Sequence, residues 1–425
     1  MQLRLAMLLS TALGLALLYN AMRQRGAVRS KEVRWRQLAL ECTTGTNSAT
    51  SVFMILLCRG PEEVESTADT LVHLFDRSAC PMHLSVGVYE IVPDLRAASA
   101  VAARYAALAP SAHRLGRSFA DRIRSVKVPA ARAMTPDAAR GFVLSQAYGG
   151  EAFVGTVASG VHLVENWDAK LLEARRRAAN PLACVTSPPA PPPPAVGLAL
   201  KRGDSQWSEL LGSVGQRLSR TAPPSTMLEA SFLVIAQSRG GAWPRISARS
   251  FARPDADAPQ PSLFWTGELS LGPASALVQP EHPRTGIGAA APFGTGPRLA
   301  SLRATDYSTT LNLWSAGWDF ITPSVPCARW ASADALLAYE GSESDGPSAI
   351  TPSDAEWLAS LASRARSLED FQAFSSTDPS SGQVFARAAL GVSPQHAPRE
   401  IVSKYGSLSG FAAEKDALLM ELATQ

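Results

Sequence analysis

His162, Glu165 and Asp168 fall close together in the stretch GVHLVENWD. An imidazole and two carboxylates in one short loop suit a divalent cation such as Mg2+ or Mn2+, which takes oxygen ligands and shares itself with substrate phosphates. The same residues fit a solvated loop, in which Asn166 caps a helix starting at Trp167 and Asp168 lies in its first turn. Other chemistry is sparse. The six histidines (His73, His83, His113, His162, His282, His396) are dispersed, and there is no GxGxxG after a strand, no P-loop, no HExxH and no GxSxG. The five cysteines (Cys42, Cys58, Cys80, Cys184, Cys327) include no CxxC pair, which argues against a structural zinc site. One or two disulfide bridges fit a lumenal chain. Cys58 lies in an apolar run and reads as a small buried hydrophobe.

These residues need a scaffold, and the chain has material for one. Its 425 residues allow about two or three domains. Hydrophobic residues make up 46% and charged residues 18%, which excludes a mainly disordered chain. Lys and Arg number 40 against 37 Asp and Glu, a net +3 that lacks the basic excess of a nucleic-acid binder. SVFMILLC, residues 51–58, is a continuous apolar run, as expected for a strand buried on both faces. Apolar residues at helical spacing follow over 62–76, then a strand over 83–92, a helix over 94–108 and a strand over 122–128. Thr135-Pro136 starts a helix that ends at Gly149-Gly150. A strand over 152–158 and a helix from Trp167 to Ala179 complete the series. Strands alternating with helices over short joints predict an α/β domain with a mostly parallel sheet. In such sheets ligands bind beyond the carboxyl ends of the strands, which points to Arg59-Gly60 and to Ser159–Asp168. Further on, SPPAPPPP (187–194) reads as a stiff surface loop, 262–271 as one strand, and 306–316 as a helix ending at Gly317. From about residue 350 the chain reads as helical and polar.

The N-terminus reads as a targeting segment. Residues 5–22 carry no charge, long enough to cross a bilayer as a helix, and Tyr19-Asn20-Ala21-Met22 makes a poor cleavage site. The expectation is a signal-anchor over 1–25 followed by a stem over 26–50. Arg23, Arg25, Arg29, Lys31, Arg34 and Arg36 follow the segment and only Arg4 precedes it, a bias that keeps the C-terminal side cytoplasmic. Long C-terminal domains translocate against that bias.

Six blocks, in order, resemble the polypeptide N-acetylglucosaminyltransferases, the group of the Skp1 hydroxyproline transferase and the mucin-type enzymes of protists. They are FMILLCRGPEEVESTADTL (53–71), the stretch 122–172, SLFWTGELSLG (262–272), STTLNLWSAGWDFITPS (308–324), SRARSLEDFQAF (363–374) and LGVSPQHAPREIVSKYGS (390–407). The resemblance implies a GT-A-like fold over 51–335 with a helical extension over 336–425. It further implies a UDP-sugar donor (UDP-GlcNAc), a divalent cation (Mn2+ or Mg2+), and a hydroxyl of a polypeptide or glycoprotein as acceptor. The implied place is a single-pass protein of the Golgi or ER with a lumenal catalytic side.

The chain departs from that family where the metal and acceptor groups belong. The Asp-x-His motif falls on Ala158-Ser159-Gly160, the Gly-Glu-Glu on Ala304-Thr305-Asp306, and a late His near Cys327-Ala328-Arg329. Arg59, Arg140, Trp167, Asp168, Trp314, Gly317, Trp318 and Asp319 are kept. By resemblance the donor site would use Arg59, Arg140, Ser159, Trp265, Gly267 and Trp318, with Asp306 as the acceptor-side base. Any cation would fall to His162 with Asp168 or Glu165; alternatively Arg59 or Arg140 would steady the diphosphate without metal. Two expectations follow: a glycosyltransferase with a relocated site, or an inactive relative that binds glycan, polypeptide or another transferase.

Overall fold

The computed structural model describes residues 51–112, 118–178, 180–190, 192, 230–236, 245–251, 259–262, 264–278, 293, 302–323, 325–340, 352–362 and 366–375. The expected anchor (1–25) and stem (26–50) lie outside them, as do most of the 390–407 block's surroundings and that block itself. Among the described residues no helix is long and apolar enough to cross a membrane.

The chain opens with β1 (Val52–Cys58), α1 (Val64–Asp76), β2 (Leu84–Val92), α2 (Ala100–Ala112), β3 (Ile123–Pro129), α3 (Pro136–Ala147) and β4 (Phe153–Val157). Every residue of β1 is buried, as its unbroken apolar run requires. β1 pairs in parallel with β2 on one side and β4 on the other, and β2 pairs in parallel with β3. Crossovers carry the chain outward to β3 through α1 and α2, and back past β1 through α3. The strand order therefore reverses between β1 and β4.

The second half is mixed. After β5 (Val161–Leu163) and α4 (Trp167–Arg177) come β6 (Ala183–Thr186), the hairpin β7 (Ala230–Ala236) and β8 (Arg245–Phe251), then β9 (Gln260–Ser262), β10 (Leu269–Pro273) and the short α5 (Ala274–Leu277). α6 (Leu302–Ser315), β11 (Asp319–Thr322), β12 (Ala328–Trp330) and three helices follow: α7 (Ala333–Glu340), α8 (Pro352–Ala362) and α9 (Leu368–Ser375). The central sheet has the order β3-β2-β1-β4-β10-β6-β11-β9. Only β10 and β9 oppose the other strands' direction. β5 pairs with β12 in a small separate sheet. The result is a mixed α/β fold on a mostly parallel sheet.

Four local expectations are corrected. The helix placed over 94–108 begins only at Ala100, where the buried Glu90 carboxylate accepts the N–H groups of Ala100 and Val101. The single strand placed over 262–271 is two: β9 lies at the sheet's edge and β10 between β4 and β6, with 264–268 crossing between them. The start of the proline-rich stretch is no surface loop. Ser187–Ala190 are buried, and Ala190 exchanges backbone hydrogen bonds with Ala328 and Trp330 along β12. Asn166 does not cap α4 with its side chain; it takes the left-handed conformation at φ 57°. The helix expected to end at Gly317 does so, closed by bonds from Gly317 N–H to Trp314 and Trp318 N–H to Leu313.

Candidate functional site

The reversal of strand order between β1 and β4 leaves a crevice at their carboxyl ends, the place where open α/β sheets bind ligands. A cleft of about 50 Å3, room for a few waters, lies there. Ile55, Leu57 and Arg59 come from β1 and the turn after it, Val157, Ala158 and Ser159 from the end of β4, and Arg140 from α3. Glu63, Ser66, Gly267, Ala335, Ala338 and Tyr339 complete it.

The loop after β4 is pinned to α1 by hydroxyl groups. Ser159 Oγ lies 2.9 Å from Ser66 Oγ and 2.8 Å from Thr67 Oγ1, and Gly160 N–H donates to Thr70 Oγ1 at 2.9 Å. Gly160 has φ 79°, which a side chain would strain.

Beneath the cleft lies a buried ion pair. Arg140 Nη1 donates to Asp306 Oδ1 at 3.0 Å, with side-chain exposures of 3% and 0%. Tyr339 Oη donates to Asp306 Oδ2 at 3.0 Å. Thr266 Oγ1 lies 3.4 Å from that same oxygen and 3.2 Å from Glu268 Oε2, and its single proton serves one carboxylate at a time. Burial works against the Arg140 charge, but Asp306, Tyr339 and Asp137 outweigh it and hold the guanidinium's pKa above its ordinary value. Gly267 packs flat against this pair: a Cβ there would overlap the guanidinium and come within 2.7 Å of Asp306 Oδ1.

The cleft's other cation is also matched. Arg59 donates through its backbone N–H at 2.8 Å and its Nε at 3.0 Å to the Glu63 carboxylate. Among the described lining residues each guanidinium thus has its own carboxylate.

The expected site residues divide by location. Arg59, Arg140, Ser159 and Gly267 meet at the cleft, and Asp306 lies directly behind it. Trp265 does not line it; its ring is fully buried near Phe293, with the indole N–H unpartnered. Trp318 is half-buried against the core, its carbonyl accepting from Arg366. His162 and Asp168 are not brought together. His162 Nε2 lies 2.6 Å from Asp69 Oδ2. Asp168 instead accepts from Ser78 Oγ at 2.5 Å and from the N–H groups of Ala79 and Cys80 at 2.7 and 3.1 Å, fixing the start of α4 to the turn before β2. Glu165 pairs with Arg77. The kept Trp314 and Asp319 receive Arg366, whose guanidinium sits 4.6 Å over the Trp314 ring and 2.8 Å from Asp319.

Glu63 and Tyr339 were not anticipated. Glu63 carried a signal, since it stands four residues after Arg59, a separation at which opposite charges meet. Tyr339 carried none, because its role depends on α7 folding back over α6.

The residues at the cleft do not fit a divalent cation. Ala158-Ser159-Gly160 offers no carboxylate or imidazole, Ser159's hydroxyl is engaged with Ser66 and Thr67, and Glu63, the only acid among the described lining residues, is held by Arg59.

No protein-family model and no curated protein matches the chain. Among solved structures it is similar to GalNAc-T7 with UDP, GalNAc and Mn2+, at 11% identity and a TM-score of 0.40. That match covers 76% of this chain and 56% of the other, so the chain spans little more than half of it. It is also similar to a mannosyltransferase from Pyrobaculum calidifontis in complex with GDP-Man and Mn2+, at 15% identity, TM-score 0.38 and coverage of 95% and 90%. A third likeness is to S. aureus TarS 1-349, at 9% identity, TM-score 0.40 and coverage of 87% and 83%. Likeness at this level assigns neither family nor activity.

Proposed function

We propose that the chain is a GT-A-type glycosyltransferase that moves GlcNAc or a related sugar from a UDP-sugar to a hydroxyl of a polypeptide. One observation carries this reading. Blocks far apart in sequence that resemble the polypeptide N-acetylglucosaminyltransferases send Arg59, Arg140, Ser159 and Gly267 to a single cleft at the strand-order reversal. In that reading the donor's diphosphate faces the end of β1, where Arg59 exchanges Glu63 for phosphate oxygens as a guanidinium fork. Arg140 holds the carboxylate of Asp306 in place behind the acceptor side. In this reading the domain lies on the lumenal side, behind the membrane anchor proposed for 1–25.

A second reading is favoured by the pairing of the cleft's charges: a relative that has lost turnover and binds a glycan, a polypeptide or another transferase. Arg59 and Arg140 are each neutralised, the loop after β4 holds no cation ligand, and about 50 Å3 is narrow for a nucleotide-sugar.

Calorimetric titration of the purified chain with UDP-GlcNAc, with and without Mn2+, separates the two. Binding together with UDP release that is lost in Asp306→Asn supports the transferase. Binding without UDP release supports the inactive relative, and no UDP-sugar binding in either condition removes the donor site altogether.

A further inference from the structure

Away from the cleft, three metal-ligating side chains converge. Asp69 and His73 stand four residues apart on α1, which puts them on one face of the helix. His162 reaches them from β5, and one ligand atom of each lies within 4.8 Å of the other two. The cluster is partly sheltered, with the His162 side chain 21% and the Asp69 side chain 45% exposed. His73 Nδ1 is buried and has no hydrogen-bond partner. A buried imidazole nitrogen left open is costly in a folded chain and calls for an explanation.

Burial, with the charge of His162 and Arg77, pushes the His73 imidazole down to about 4. The hydrogen bond from His162 holds the Asp69 carboxyl below its ordinary range, so it is ionised. Arg77, the nearest guanidinium along the helix, is engaged by Asp76 and Glu165. Two imidazoles and one carboxylate form a three-ligand set of the kind that binds Zn2+ and leaves a fourth position for water.

We propose that Asp69, His73 and His162 form a Zn2+ site, separate from the cleft, that clamps α1 to β5 beside the 158–160 loop. The His73 and His162 rings are stacked, 3.9 Å between centroids and 20° between planes. A metal lies in the plane of each imidazole that binds it, and planes this close to parallel do not meet at bonding distance. Binding therefore turns one ring out of the stack and replaces the His162–Asp69 hydrogen bond by two metal bonds. The site rests on its own residues and stands whichever reading of the cleft holds.

The test uses the full-length chain stripped of metal. Zn2+ is titrated in competition with a chromophoric chelator, and Co2+ is followed by visible absorption. The expected result is one Zn2+ per chain, a tetrahedral Co2+ spectrum and a higher Tm with Zn2+. His73→Gln, His162→Gln and Asp69→Asn should each weaken binding by more than the ~10–100-fold that loss of an outer-shell partner costs. Circular dichroism of the metal-free variants establishes which remain folded. Asp69→Asn, half-exposed and nearly isosteric, keeps the fold and decides the matter if a histidine variant does not. An unmodified chain that binds no Zn2+ overturns the proposal, as does Asp69→Asn binding as tightly as the parent.

Discussion

Two polar clusters flank the loop after β4, and they are built in opposite ways. The Arg140–Asp306–Tyr339 cluster is sealed from water, with its ion pair closed and both Asp306 oxygens occupied. The Asp69–His73–His162 cluster is half open and leaves His73 Nδ1 without a partner. A closed network fixes the relative positions of α3, α6 and α7; an open one keeps capacity for something from outside. The contrast separates a cluster that positions α3, α6 and α7 from one on α1 and β5 that can bind.

Breaking the closed cluster should cost most. Arg140→Met strands the Asp306 charge, and loss of about 3–5 kcal/mol is expected in urea unfolding. Adding Asp306→Leu should restore much of that loss, since both charges then leave together; a single variant as stable as the parent would refute the closed-network account. Next in size is Gly267→Ala. Its methyl group collides with the Arg140 guanidinium, and a loss of about 1–3 kcal/mol in the same measurement is expected from forced displacement. In the open cluster, metal-free Asp69→Asn should change stability by less than about 1 kcal/mol, because the pair it weakens is water-exposed. A larger loss would make the two clusters alike.

The last effect is a slope. His73 resists protonation in the folded chain, near 4, but takes a proton near 6.5 when unfolded. The unfolded state therefore binds more protons between these values, so this contribution to stability is complete above pH 6.5 and is lost as pH falls toward 4. Asp69, lowered from 3.8, adds its loss only at still lower pH. Unfolding measured across this range should show a shallower acid slope in His73→Gln than in the parent; equal slopes would place the titration elsewhere.

The parallel half of the sheet was legible because β1 is an unbroken apolar run, β2 and β4 are largely apolar, and helices of matching period join the strands, with only β3 (IRSVKVP) weakly marked. Position at the end of β1 and β4 likewise pointed to Arg59 and Ser159. The mixed half was not legible. SLFWTGELSL reads as one strand because the period of two continues across Trp265–Gly267, while only tertiary contacts reveal that the chain changes place in the sheet there. The charged pairs were hidden for a related reason. Arg140 and Asp306 were each singled out, but nothing in a spacing of 166 residues tells that they meet. The histidine site had a readable half, Asp69 and His73 four apart on a helical face; its third member, His162, was read toward Asp168, its neighbour in sequence, rather than toward α1.

The insertion of β10 against β4 also sets an order of assembly. Residues 52–157 close β3-β2-β1-β4 with local crossovers alone, whereas the open side of β4 waits for Leu269–Pro273, over a hundred residues later, to pair with it. During synthesis that side is a bare strand edge of unpaired N–H and C=O groups, of the sort on which chains stick to one another. Pulse-labelled hydrogen exchange during refolding should protect β1 before β10, and nascent chains halted near residue 200 should aggregate more readily than those carried past 280.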